Sequence, residues 1–177
     1  MQYKYVNNLD NLNDIQIGNH ENTVLCAINE YTDRIRRPSG INRFSILSTL
    51  SKNNIKNSVL NHTSYFRDLP NYKFVISPEG NGIDCHRHYE SLVAGSIPIM
   101  EDNPIIREKY EGCPILYTTD YSEITIDYLE DCYLKMLDEK YNFSRLFLSY
   151  YEESDVNLIK ESGNYWMNML THNNWYQ

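Results

Sequence analysis

The sequence has no apolar run that approaches the roughly 20 residues needed to cross a bilayer. Its opening stretch, MQYKYVNNLDNLND, lacks the apolar core of a signal peptide. Paired cysteines are missing as well. Cys26, Cys85, Cys113 and Cys132 are widely spaced and form no C-x-x-C pair, which points to reduced thiols in a cytoplasmic protein. On that reading the sequons at Asn61 and Asn142 carry little weight. Positive charge is in the minority, 16 Lys and Arg against 24 Asp and Glu. The net charge of −8 repels nucleic acid and anionic membranes. A nucleotide-sized anion could still bind through a local cluster of Arg, Lys and backbone N–H groups. There is no internal repeat, and no low-complexity segment beyond an excess of Asn.

The 177 residues are enough for one domain with a sizeable core and short for two, and 41% hydrophobic content is ordinary for a globular chain. Residues 1–22 are polar and read as a tail or linker, leaving 23–177 as a single domain. TVLCAI (23–28), YKFVIS (72–77), IPIM (97–100) and PILYTT (114–119) are continuous apolar runs of strand length, with a weaker candidate near NSVLNH. Helical spacing lies between them, in RFSILSTLSKNN and in NPIIREKYEG, where Pro104 falls in the first turn and Gly112 at the end. DYSEITIDYLEDCYLKMLDEKY reads as one long amphipathic helix, and the remainder is mostly helical. This alternation predicts an α/β fold, a doubly wound and mostly parallel sheet with helices on both faces.

Ligands of such sheets sit beyond the carboxyl ends of the strands. Two loops belong there. One follows TVLCAI and carries Arg34, Arg36 and Arg37, with Arg43 opening the next helix; the other carries Glu79, Gly80, Asn81, Gly82 and Asp84. With Asp84 as N-cap, a following helix places Tyr89, Leu92 and Val93 on one face and Arg87, Glu90 and Ala94 on the other. Gly80 and Gly82 allow a close backbone approach, and Gly95 with Ala94 leaves room beside the Arg and Glu. A cation beside a helix N-terminus suits a diphosphate, and a carboxylate one turn on suits a pair of sugar hydroxyls. The plain alternative is a solvated helix face with an ordinary Arg–Glu pair.

The segment CHRHYESLVAGSIPIM resembles the donor-binding segment of exostosin-like glycosyltransferases and their GT-B relatives, Arg-x-x-Glu-Ala-x-x-x-Gly-x-x-Pro-Val/Ile. Arg87, Glu90, Gly95, Pro98 and Ile99 match, and Ser91 stands for the usual Ala. The likeness covers roughly residues 72–120 well and 23–60 more weakly. It implies the C-terminal half of a GT-B enzyme, transferring a sugar from a nucleoside diphosphate donor to a glycan or protein hydroxyl without a metal or other cofactor. Glu90 would hold the ribose and Arg87 the phosphates. Arg43 and the loop arginines would add phosphate contacts, beside Glu79, Gly80, Asn81, Gly82, Asp84 and Gly95. Two departures stand out. The second Glu that many such enzymes carry eight residues before the first is here Gly82. The acceptor-binding Rossmann unit is also missing, so an acceptor domain is expected from another chain, a homo-oligomer or a parent protein.

Other readings remain open. The chain could be a nucleotide- or glycan-binding module without catalysis, or an unrelated Rossmann-like domain whose Arg–Glu pair is structural. Arg34, Arg36 and Arg37 could be a solvated loop. Asp84, Cys85, His86 and His88 make a poor metal cluster, because His86 and His88 point apart on a helix, and Cys85 beside His86 makes a poor nucleophile pair. Tyr121, Tyr128 and Tyr133 suit packing better than a glycan platform. Trp166 and Trp175 suit a sheet edge or a subunit contact.

Overall fold

The computed structural model describes residues 15, 17, 18 and 20–171, without the side chains of residues 166, 167, 170 and 171. Most of the polar stretch 1–22 lies outside the described residues, as do Trp175 and the side chain of Trp166. Four parallel strands form one sheet: β1 (Asn22–Leu25), β2 (Tyr72–Ile76), β3 (Ile97–Glu101) and β4 (Leu116–Thr118), in that spatial order. The register pairs Val24 with Phe74, Val75 with Pro98, and Ile99 with Leu116. The fold class is therefore α/β with an all-parallel sheet, as the unbroken apolar runs require. Among the described strands the order does not reverse.

The helices α1 (Arg43–Lys52), α2 (His62–Asp68), α3 (His86–Val93), α4 (Pro104–Lys109), α5 (Ile126–Leu137) and α6 (Glu153–Thr171) complete the regular structure. Side chains alternate across the sheet. Phe74, Ile76, Ile97 and Ile99 point to one face, where they meet Ile46 and Leu50 of α1 and Leu129 and Tyr133 of α5. Leu25 and Val75 point to the other, against Tyr65 of α2, Leu69 and Ala94. Fully enclosed side chains such as Leu50, Phe74 and Ile99 contribute about 2 kcal/mol each by leaving water. Tyr121 and Tyr133 are buried in the first cluster and Tyr128 packs against it. Ile15 is also buried, and Ile17 packs on the same cluster. By contacts the chain divides into two compact units, Met1–Asn142 and Phe143–Gln177. The second holds two short 3-10 turns and α6; the sheet belongs to the first.

Several elements differ from the sequence expectation. The strand expected over 23–28 stops at Leu25. Beyond it Ser58 N–H donates to Cys26 O at 2.7 Å, and the Asn57 amide bonds both N–H and C=O of Ile28 at 2.9 Å. A side-chain amide thus does what the weak strand near NSVLNH was expected to do, and that segment is no strand. The helix expected from Asp120 begins only at Ile126, because Thr125 accepts from Tyr128 N–H and caps it there, after a separate turn capped by Asp120. The helix expected at Asp84 begins at His86.

Candidate functional site

The loops that follow β1 and β2 are joined by a network of charges. Arg37 bonds Asp33 Oδ2 at 2.9 Å, Glu101 Oε1 at 2.9 Å and the carbonyl of Glu79 at 3.2 Å. Arg36 bonds Glu79 Oε2 at 2.5 Å and the carbonyl of Gly80 at 3.0 Å. Glu101, at the end of β3, also accepts from Glu79 N–H at 3.0 Å. Arg43 is 5% exposed, and its guanidinium donates to the carbonyls of Glu79 (2.8 Å), Pro78 (3.1 Å) and Asn29 (3.4 Å). Burial lowers its pKa, and the nearby Arg87 charge adds to that. These arginines are neither a solvated loop nor open cations. They hold the Pro78–Gly80 backbone in place. Arg34 and Arg36 are exposed residues, Arg37 is half-buried and Arg43 is buried.

Gly80 sits where this network needs it. A Cβ there would stand 2.9 Å from Nη2 of Arg43 and 3.2 Å from Sγ of Cys85. The absent side chain makes room for Arg43 in the protein itself, and Gly80 also lines the adjacent cavity. At Gly82 a Cβ would meet only ordinary contacts.

Beside the network lies a cavity of about 390 Å³, lined by Arg43, Gly80, Asn81, Gly82, Asp84, Arg87 and Glu90, with Thr32, Cys85 and His86. Seven of the nine residues expected at the site meet there. Glu79 is turned to the arginines instead. Gly95 is at the other end of α3, at φ +77°, where its N–H bonds Leu92 O at 3.0 Å and Ser96 N–H bonds Ser91 O at 2.9 Å. That is a Schellman ending, so Gly95 terminates the helix and lines no part of the cavity.

The N-cap of α3 is Cys85, which gives no side-chain cap bond. Asp84, expected in that role, instead accepts from Tyr110 Oη at 2.6 Å and pairs with Lys109. The first N–H groups of α3 thus lack the expected carboxylate cap at the edge of the cavity. Burial raises the Cys85 thiol pKa, with Arg43 opposing, which does not make a ready nucleophile.

The buried face of α3 is His88, Ser91 and Leu92, about one position round from the expected Tyr89, Leu92 and Val93. Two polar side chains can be buried because each has an internal partner. Ser77 Oγ and His88 Nδ1 are 2.7 Å apart, and His88 Nε2 is 3.3 Å from Ile83 O. Ser91 Oγ donates to Arg87 O at 2.7 Å. Burial depresses the His88 pKa to about 4, so near neutrality the ring is an uncharged clasp between β2, the loop and α3.

A second cavity, about 670 Å³, opens on the other side of Arg87 and Glu90. Asn29, Tyr31, Asn57, His62, Tyr65 and Phe66 are among the residues that line it. Both Arg87 and Glu90 border both cavities. The guanidinium of Arg87 stands 5.3 Å from the ring centre of Tyr65. Apart from the sequon at Asn61, residues 57–66 carry no functional motif in the sequence. The only local sign is the adjacent pair Tyr65–Phe66 shortly before a strand.

No family model matches the chain, and no curated protein matches it. Among the described residues no group of three His, Cys, Asp or Glu could hold a metal ion, and no helix is long and apolar enough to cross a membrane. None of the four cysteines forms a disulfide.

Proposed function

We propose that this protein binds a nucleoside diphosphate sugar at the carboxyl end of its sheet and is the donor half of a glycosyltransferase. The observation that carries the reading is the position of Arg87 and Glu90 on the common border of two cavities, one edged by cations and a helix N-terminus, the other by aromatic rings. Volumes of 390 and 670 Å³ are of the size that holds small ligands. The diphosphate would lie in the smaller cavity, the ribose at Glu90 and the base in the larger one. Sugar transfer breaks the bond from the anomeric carbon to the diphosphate, and negative charge develops on the leaving group. Arg87 and the free N–H groups of α3 would stabilise it by direct bonds. Arg43 would act chiefly through its charge, since its own N–H groups are already donated to carbonyls. The acceptor hydroxyl would come from a second domain or another chain. Ile35 and Val59, each 98% exposed on the loops bordering these cavities, offer apolar surface to such a partner.

A thermal-shift screen against UDP, GDP, ADP and CMP tests binding. At a hundred times its dissociation constant a ligand adds about 2.7 kcal/mol to the folded state. At least one nucleoside diphosphate should raise the melting temperature clearly, and no shift with any of them would remove the reading. Product formation from radiolabelled donors, with acceptors supplied, then separates a transferase from a binding module.

A further inference from the structure

We propose that Tyr65 is a positioning residue for the nucleotide site, fixing Arg87 on the border between the two cavities. The inference rests on the nucleotide reading above and adds a residue to it that no sequence motif marks.

Tyr65 is 7% exposed and belongs to the core cluster with Leu25, Leu69 and Val75, so its ring cannot wander. Phe66 braces it edge-on, with ring centres 5.0 Å apart and planes at 73°. Onto this fixed ring Arg87 lays its guanidinium, 5.3 Å from the ring centre. The Tyr65 hydroxyl lies against both Arg87 and Glu90, yet it has no properly formed hydrogen bond, and neither has the buried Nε of Arg87. Burial keeps the phenol protonated, with the Arg87 charge opposing. The ring therefore holds Arg87 by its face without drawing its charge into an ion pair. Arg87 keeps bonding capacity for an anion and is still confined in place. An unmet buried donor is costly, which favours a ligand oxygen on Arg87 itself.

The test is a double-mutant cycle on the folded chain, reading affinity for the best-binding nucleoside diphosphate and for its nucleoside. Tyr65→Met keeps bulk and removes the aromatic face; Tyr65→Phe keeps the face and removes the hydroxyl. Tyr65→Met should weaken the diphosphate about tenfold more than the nucleoside, while Tyr65→Phe keeps the ratio of the two affinities within about threefold of wild type. In an Arg87→Ala background Tyr65→Met should change that ratio no further. A merely structural tyrosine would lower the melting temperature and leave the ratio unmoved. The inference is overturned if Tyr65→Met leaves the ratio at its wild-type value, or costs the same with and without Arg87. Should Tyr65→Met fail to fold, Tyr65→Phe decides: a ratio that collapses with the ring still present excludes positioning by the aromatic face. A wild-type chain that binds no nucleoside diphosphate overturns the underlying reading itself, a result distinct from any of these.

Discussion

His88 shows how much of the site rests on one buried side chain. It is 1% exposed, with Ser77 Oγ on one ring nitrogen and the Ile83 carbonyl facing the other. Burial holds its folded pKa near 4, against an ordinary value of 6.5. In the unfolded chain the ring takes up its proton at the higher value. Between the two values the unfolded state binds more protons, so stability contributed by the neutral ring is complete above about pH 6.5 and falls as the pH drops towards 4. The full loss is roughly 3 kcal/mol. Denaturant titrations at pH 7.5, 6, 5 and 4.5 should show that loss in the wild-type chain and a clearly smaller one in His88→Asn. Equal pH dependence in the two would show that His88 titrates normally. The residue was not legible as a clasp from sequence, because its partners lie 11 and 5 residues away on other elements. Gly80 was legible only as a glycine in a loop. That its missing Cβ makes room for Arg43 depends on a contact across 37 positions of sequence.

At the scale of elements, α3 carries the account. Its existence, its end at Gly95, and the spacing that places Arg87 and Glu90 one turn apart could all be read from local pattern. Its start could not, because the Asp84 carboxylate is taken by Lys109 and Tyr110, 25 and 26 residues further on. The rotation of its buried face could not either, since it follows from internal partners of His88 and Ser91. The second cavity was illegible for a related reason: the segment between α1 and α2 bonds the chain beyond β1, at Ile28, through the Asn57 side chain, which leaves no strand pattern. The Schellman ending gives a clean control. Gly95→Ala forces a side chain into φ +77°, a strain of roughly 1–2 kcal/mol. Because Gly95 lies outside both cavities, the substitution should lower the melting temperature and leave nucleotide affinity within about twofold of wild type. Affinity lost in proportion to stability would mean that the far end of α3 belongs to the site after all.

On the scale of the whole molecule, four apolar runs specify the parallel sheet, and the polar loops at its carboxyl edge do the rest. The overall charge of −8 opposes an anionic ligand, so the local arrangement must overcome the global one. On the proposed reading Arg87, on the border of both cavities, and Arg43, lining the smaller one, would do so, while Arg36 and Arg37 bond the carboxylates and carbonyls that shape the loops. The central claim is that this edge recognises a diphosphate through Arg87. Its most direct measurement is a calorimetric titration of wild type and Arg87→Ala with a nucleoside diphosphate and with the matching nucleoside. The account predicts that wild type binds the diphosphate at least about tenfold more tightly, close to 1.4 kcal/mol, and that Arg87→Ala removes most of that difference while hardly touching the nucleoside. Equal affinity of wild type for the two ligands, or a difference that survives in Arg87→Ala, would contradict it.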